Sequence, residues 1–232
     1  MIDRPDPEEL EALEQAALTP IPVNPQGFNL NAEIPYGCNI NYIKQAMNDF
    51  IDFLGFINQQ LYTRQTPRLE GILMAANFSS VVGEYLISTI PKYCSGLVKN
   101  RHHNGHPDLV ASGYYPDDDV LHGEEGIEVK ASRYLSGWQG HNREACWLMV
   151  FVFDCNGPND FSNQVRPKPF RFVKVSGARL TKEDWSYSGR TGDSRRTITS
   201  SVIESGYNKM MSNWIYQDPS ISPKTRLRTR LF

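Results

Sequence analysis

The spacing of apolar residues divides the chain into a helical first part and a later part rich in strands. Between residues 39 and 63, apolar side chains recur every three or four positions, which is typical of an amphipathic helix. A second stretch with this spacing predicts a helix over Pro67–Ile90, with Thr66 as its N-cap. We expect Pro91 to end that helix, because proline cannot donate a backbone hydrogen bond.

From Pro107 onward, alternation of apolar and polar residues replaces the helical spacing. The predicted strands are Leu109–Ala111, Gly126–Ser132, Trp147–Asp154 and Phe170–Val175. The third of these is apolar at nearly every position, which indicates a central strand buried on both faces. A last helical stretch is expected near Ser201–Ile215. This order of elements predicts an α/β domain with a central mixed β-sheet flanked by α-helices.

The first 35 residues have a different character. Asp6 followed by Pro7 predicts the start of a short helix that reaches about Leu18, and several prolines follow it. We therefore interpret residues 1–35 as an N-terminal arm and residues 36–232 as a single domain.

Charge is distributed unevenly along the 232 residues, although the net charge is only −2. Residues 165–232 hold 14 Lys and Arg against five Asp and Glu, a net charge of +9. Residues 1–98 carry −6, from five basic and 11 acidic residues. The basic last third favours an anionic partner, although mutual neutralisation of the two halves on folding explains the counts equally well.

Nothing in the sequence indicates a membrane protein or a secreted one. No apolar run approaches the roughly 20 residues of a membrane helix, and the acidic N-terminus lacks a signal-peptide pattern. The four cysteines are scattered without CxxC spacing, so we expect reduced, buried thiols rather than a zinc site. These features predict a cytoplasmic protein without a membrane partner. A prokaryotic origin is a separate expectation that these features do not carry.

The candidate chemistry lies on the predicted strand Gly126–Ser132. Side chains two residues apart on a strand share a face, so Glu128 and Lys130 project together about 7 Å apart. If the strand after Asp108 is its antiparallel neighbour, Asp108 comes to lie beside Glu128. Two carboxylates and a lysine are the groups that metal-assisted phosphodiester hydrolysis requires.

These residues resemble a known signature. Pro107-Asp108, nineteen residues and then Glu128-Val129-Lys130 is similar to the motif of the PD-(D/E)XK nuclease superfamily, which includes most type II restriction endonucleases. The resemblance covers about residues 80–155 and implies a restriction-endonuclease-like core. It implies that Asp108 and Glu128 bind Mg²⁺, that Lys130 positions the attacking water, and that Glu84 is an accessory metal ligand.

The resemblance also implies double-stranded DNA as the partner and a homodimer that matches a palindromic site. Polar and basic residues in two later segments are the predicted DNA contacts. They are Arg133, Gln139, His141, Asn142 and Arg143 after the catalytic strand, and Arg190, Arg195 and Arg196 in the basic part, residues 165–232.

Other interpretations stay open. A structure-specific or repair nuclease of the same superfamily fits the motif, and so does a DNA-binding protein with a relic nuclease core. Glu128 and Lys130 also suit an exposed, self-paired strand face of a structural protein. His102, His103 and His106 make a zinc site conceivable, although histidines in such a loop are more often solvated.

Overall fold

The computed structural model describes residues 6–140, 142–187 and 200–221. Its helices are α1 (Pro7–Ala17), α2 (Ile40–Tyr62), α3 (Leu69–Ile72), α4 (Ala75–Tyr93), α5 (Pro158–Ser162) and α6 (Glu204–Ser212). Its strands are β1 (Leu97–Lys99), β2 (Leu109–Ala111), β3 (Gly126–Ser132), β4 (Gln139–Gly140), β5 (Trp147–Asp154), β6 (Arg171–Arg179), β7 (Trp185–Tyr187), β8 (Ser200–Val202) and β9 (Trp214–Gln217). Within the described residues, no helix is long and apolar enough to cross a membrane.

Six strands form a central mixed sheet in the order β1-β2-β3-β5-β6-β9. Strands β3 and β5 are parallel, and the other neighbouring pairs are antiparallel. A smaller sheet has the order β4-β8-β7. The predicted α/β architecture, a central mixed sheet flanked by helices, is therefore confirmed.

The alternation along β5 explains why that strand is apolar throughout. Trp147, Met149 and Phe151 pack into the core shared with α2 and α4. Leu148 and Val150 point the other way, into a second core that contains residues of α6 and of the small sheet. The side chains on both faces of β5 are buried, so the expectation of a central strand buried on both sides is confirmed.

The helix predicted over Pro67–Ile90 is interrupted. Leu73 and Met74 are extended, and they separate α3 from α4. A Cβ at Gly71 would lie 2.6 Å from the Phe161 ring, so α3 packs closely against α5. The apolar spacing continues across the break, and for that reason the pattern did not reveal it.

Helix α4 also continues past Pro91, which we expected to end it. Pro91 lies in the last turn and lacks only its own N–H, while the Cys94 N–H still reaches the Ile90 carbonyl at 3.0 Å. The helical stretch expected over Ser201–Ile215 is wrong at both ends, because β8 and β9 flank α6.

Helix α1 packs onto the rest of the fold through a buried ion-pair network. Arg68 is 1% exposed and donates all its hydrogen bonds to protein oxygens. Its partners are Glu14 of α1, Glu70 of α3, the Asn156 side chain and the Lys168 carbonyl. We call Arg68, Glu14 and Glu70 the Arg68 cluster.

Candidate active site

Two strand ends bring the predicted catalytic residues together. Strands β2 and β3 are antiparallel, with Leu109 opposite Ile127, which places Asp108 opposite Glu128. The Asp108 carboxylate accepts a hydrogen bond from the Val129 N–H at 2.9 Å. The antiparallel pairing that we expected is therefore confirmed.

Strand β3 separates its two faces as the alternation predicted. Ile127 and Val129 belong to the core beneath α2 and α4. Glu128 and Lys130 lie on the opposite face, where the Lys130 Nζ is 2.7 Å from Glu128 Oε1. Their side chains are 11% and 18% exposed, so this is not the exposed charged strand face of the alternative interpretation.

Two further residues complete the group: Glu144, which we had not expected, and His106, which we had considered only for a zinc site. His106 Nδ1 lies 2.9 Å from Glu128 Oε2, and Glu144 Oε2 lies 3.7 Å from the Lys130 Nζ. We call the five residues the carboxylate–lysine cluster. Its members are His106, Asp108, Glu128, Lys130 and Glu144.

The side chain of Asn100 fixes the backbone around Asp108. Asn100 is 8% exposed and donates hydrogen bonds to the carbonyls of Pro107 and Val120. Its own backbone N–H donates to the Asp108 carbonyl at 2.9 Å. An asparagine after a short strand gives no recognisable signal in the sequence, because its partners lie up to 20 residues away.

Electrostatics in the cluster reflect an excess of carboxylates. Burial and, after it, the neighbouring Glu128 charge raise the pKa of Asp108 to about 8. Burial also disfavours the charged form of Glu128, but Lys130 and His106 outweigh that effect and lower its pKa to about 2. A proton on Asp108 therefore relieves the repulsion between the two carboxyl groups.

Both basic groups of the cluster have a raised pKa. Burial disfavours a charged Lys130, but Glu128 and Glu144 outweigh it and raise its pKa. The same balance, with Glu128 as the main partner, raises the pKa of His106. Lys130 is therefore a hydrogen-bond donor and a fixed positive charge rather than a free base.

The structure does not bring Glu84 into this cluster. Its carboxylate pairs with the Lys99 ammonium at 2.9 Å, and both side chains are more than half exposed. The predicted accessory role of Glu84 gains no support from its contacts.

The predicted DNA contacts divide into three groups. Arg133 is 9% exposed and donates to the Cys155 carbonyl, so its guanidinium faces the protein interior. Gln139, Asn142 and Arg143 are exposed on the segment that leads to Glu144. The remaining predicted contacts lie outside the described residues; they are His141, Arg190, Arg195 and Arg196. All four basic residues after 221 lie outside the described residues as well.

All four cysteines are free and buried, as expected.

Comparison of the chain with family models, with curated proteins and with solved structures gives no match. Any function assigned to the chain therefore rests on its own residues.

Proposed function

We propose that this chain is a Mg²⁺-dependent endonuclease that hydrolyses DNA phosphodiester bonds, with a core like that of restriction endonucleases. One observation carries the proposal. Asp108, Glu128 and Lys130 come from two adjacent strands and converge on one mostly buried face of the sheet.

The donor set fits a hard divalent cation. Asp108 and Glu128 are neighbouring carboxyl groups in a place where burial penalises unneutralised charge. Carboxylate oxygens are the ligands that Mg²⁺ prefers in proteins. A bound Mg²⁺ would supply charge stabilisation at the phosphate and a water of lowered pKa.

Lys130 supplies a fixed positive charge beside these carboxylates. The Lys130 side chain is only 18% exposed, and charge interactions are stronger where water is scarce. From this position Lys130 can orient a water molecule and neutralise charge on a phosphate oxygen.

The case for DNA as substrate comes from the surroundings. Arg143 and Asn142 are exposed within two residues of Glu144. The Arg143 guanidinium lies 5.6 Å from the centre of the Tyr187 ring, which holds a cation at the surface. Together with the net charge of +9 over residues 165–232, this favours a polyanion.

Within this class we favour a type II restriction endonuclease acting as a homodimer. The chain contains no Walker A sequence, so an ATP-driven nuclease machine is not indicated. A two-fold symmetric protein would match a palindromic target.

The test is a plasmid digest in about 10 mM Mg²⁺, a concentration chosen to fill a weak hard-cation site. Asp108→Asn, Glu128→Gln and Lys130→Met should each lose at least about 100-fold in cleavage rate, the scale of removing one group that stabilises the transition state. Lys99→Met is the matched control, because Lys99 pairs with a carboxylate at the exposed surface. It should cleave like the wild type.

The product pattern decides between the candidates. Discrete fragments that the three variants lose support the restriction enzyme. A smear that they lose supports a nuclease that recognises structure rather than sequence. Wild-type protein that binds DNA but leaves it whole in Mg²⁺ and Mn²⁺ contradicts the proposal and favours a DNA-binding protein.

A further inference from the structure

The carboxylate–lysine cluster holds more potential metal ligands than Asp108 and Glu128. His106, Glu128 and Glu144 each present one donor atom, and these three atoms lie within 4.8 Å of one another. Ligand atoms around an octahedral ion with bonds of about 2.1 Å are separated by roughly 3 to 4 Å. Small side-chain adjustments would therefore let all three reach one ion.

His106 has hydrogen-bonding capacity that the described part of the protein does not use. Its Nδ1 faces Glu128, which fixes the orientation of the ring. Its Nε2 is buried and has no hydrogen-bond partner there. An unpaired buried polar atom costs about 1–3 kcal/mol, so such atoms are rare unless a ligand uses them.

Backbone contacts hold His106 in this place. Its N–H donates to the Leu121 carbonyl at 3.1 Å, and its carbonyl accepts from the Gly123 N–H at 2.7 Å. These two backbone hydrogen bonds to Leu121 and Gly123 hold the His106 ring beside Glu128. His102, in contrast, pairs with Asp119 where both side chains are more than a third exposed.

An imidazole changes which ion the site prefers. Mg²⁺ takes oxygen ligands almost exclusively, whereas imidazole suits iron, nickel, copper and zinc better. We propose that His106 and Glu144 join Glu128 to hold a divalent transition-metal ion, with His106 binding through a ring nitrogen. This inference rests on the proposed function, because the same cluster serves both, and it names a transition-metal ion in place of Mg²⁺ as the ion that the site prefers.

The experiment measures Mn²⁺ binding to the full chain without DNA. Electron paramagnetic resonance reports free Mn²⁺ during the titration, and its pulsed form detects nitrogen bonded to bound Mn²⁺. Wild-type protein should show a nitrogen coupling, and His106→Ala should lose it. His106→Ala and Glu144→Gln should each weaken Mn²⁺ binding by at least about ten-fold.

Two variants serve as matched controls. His102→Ala removes a histidine that also pairs with a carboxylate, and Glu84→Gln removes an exposed carboxylate. Both should bind Mn²⁺ within about two-fold of the wild type, because an exposed pair contributes little. Mg²⁺ should displace Mn²⁺ only at an excess of about ten-fold or more.

Bound Mn²⁺ without a nitrogen coupling in the wild type would overturn the inference, and this readout needs no variant to fold. Unchanged affinity in both His106→Ala and Glu144→Gln would do the same. The proposed function fails separately. Mn²⁺ binding with a nitrogen coupling but without DNA cleavage would contradict the proposed nuclease function and support the metal site. DNA cleavage without the nitrogen coupling would support the nuclease function and contradict the metal site.

Discussion

Two clusters of buried charge, both in the part of the chain that the structure describes, are built in opposite ways. In the Arg68 cluster one guanidinium uses five hydrogen bonds, to Glu14, Glu70, Asn156 and the Lys168 carbonyl. In the carboxylate–lysine cluster three carboxyl groups share one lysine and one histidine, and Asp108 keeps its proton up to about pH 8. The first cluster is satisfied by protein groups, whereas in the second the His106 Nε2 has no hydrogen-bond partner among the residues that the structure describes.

This difference separates a structural role from a functional one. A buried charge whose donors are all used stabilises one arrangement and has nothing left to offer a ligand. A cluster with surplus carboxylates and an unused ring nitrogen loses stability by itself, and a bound cation restores it. The predictions that follow use substitutions that should act oppositely in the two clusters.

The largest effect is expected for Arg68→Met. Glu70 is 1% exposed, and removing its cation leaves a buried carboxylate without a partner charge. The free energy of unfolding should fall by about 3–5 kcal/mol, measured by urea denaturation. Lys99→Met, which breaks an exposed pair, should cost less than about 1 kcal/mol. Equal losses of unfolding free energy in Arg68→Met and Lys99→Met would contradict the expected difference between buried and exposed ion pairs.

Asp108→Asn should raise the free energy of unfolding when metal is removed with EDTA, opposite to the loss expected for Arg68→Met. The substitution replaces a buried carboxyl group beside Glu128 by a neutral amide, so stability should rise by about 1–2 kcal/mol. Saturating Mg²⁺ should reverse the order, because Asp108 is a proposed Mg²⁺ ligand that the variant lacks, and ligand at 100 times its Kd stabilises the wild type by about 2.7 kcal/mol. Thermal unfolding with EDTA and with Mg²⁺ measures both. A variant less stable than wild type in EDTA would contradict the idea of surplus carboxylates.

Removing Lys130 should strengthen metal binding to the carboxylate–lysine cluster, whereas removing Arg68 weakens the Arg68 cluster. The Lys130 ammonium neutralises Glu128 and Glu144, and a bound ion competes for the same oxygens. Lys130→Met should therefore bind Mn²⁺ several-fold more tightly, up to about ten-fold, while it loses cleavage. The titration described for His106→Ala gives the affinity. Weaker binding in Lys130→Met would mean that the lysine organises the ligands instead of competing.

The smallest effect concerns Asp184, a satisfied carboxylate outside both clusters. Burial opposes its ionisation, but hydrogen bonds from Lys209, the Thr181 N–H and Ser205 outweigh it and lower its pKa. Its contribution to stability is therefore present above the unfolded pKa near 3.9 and is lost as pH falls through the folded value. Asp184→Asn should cost about 1 kcal/mol at pH 7 and less below pH 3, by urea denaturation at both values. A cost independent of pH would assign the effect to packing.

The sequence determined the elements whose information is local. Helical spacing placed α2, and strict alternation placed β3 and put Glu128 and Lys130 on one face, because backbone periodicity alone sets which side chains share a face. An unbroken apolar run identified β5 as buried on both sides. The short helix after Asp6 followed from its capping pattern.

Tertiary structure decided what depends on contacts between distant segments. His106 and Glu144 reach Glu128 and Lys130 through strand register and loop paths, and residues 22 positions apart leave no periodic trace. The break before α4 and the inward turn of Arg133 follow from packing against α5 and Cys155. The sequence thus determined which side chains share one face of β3, and only the fold decided which others meet them, because register and packing are settled by the whole chain.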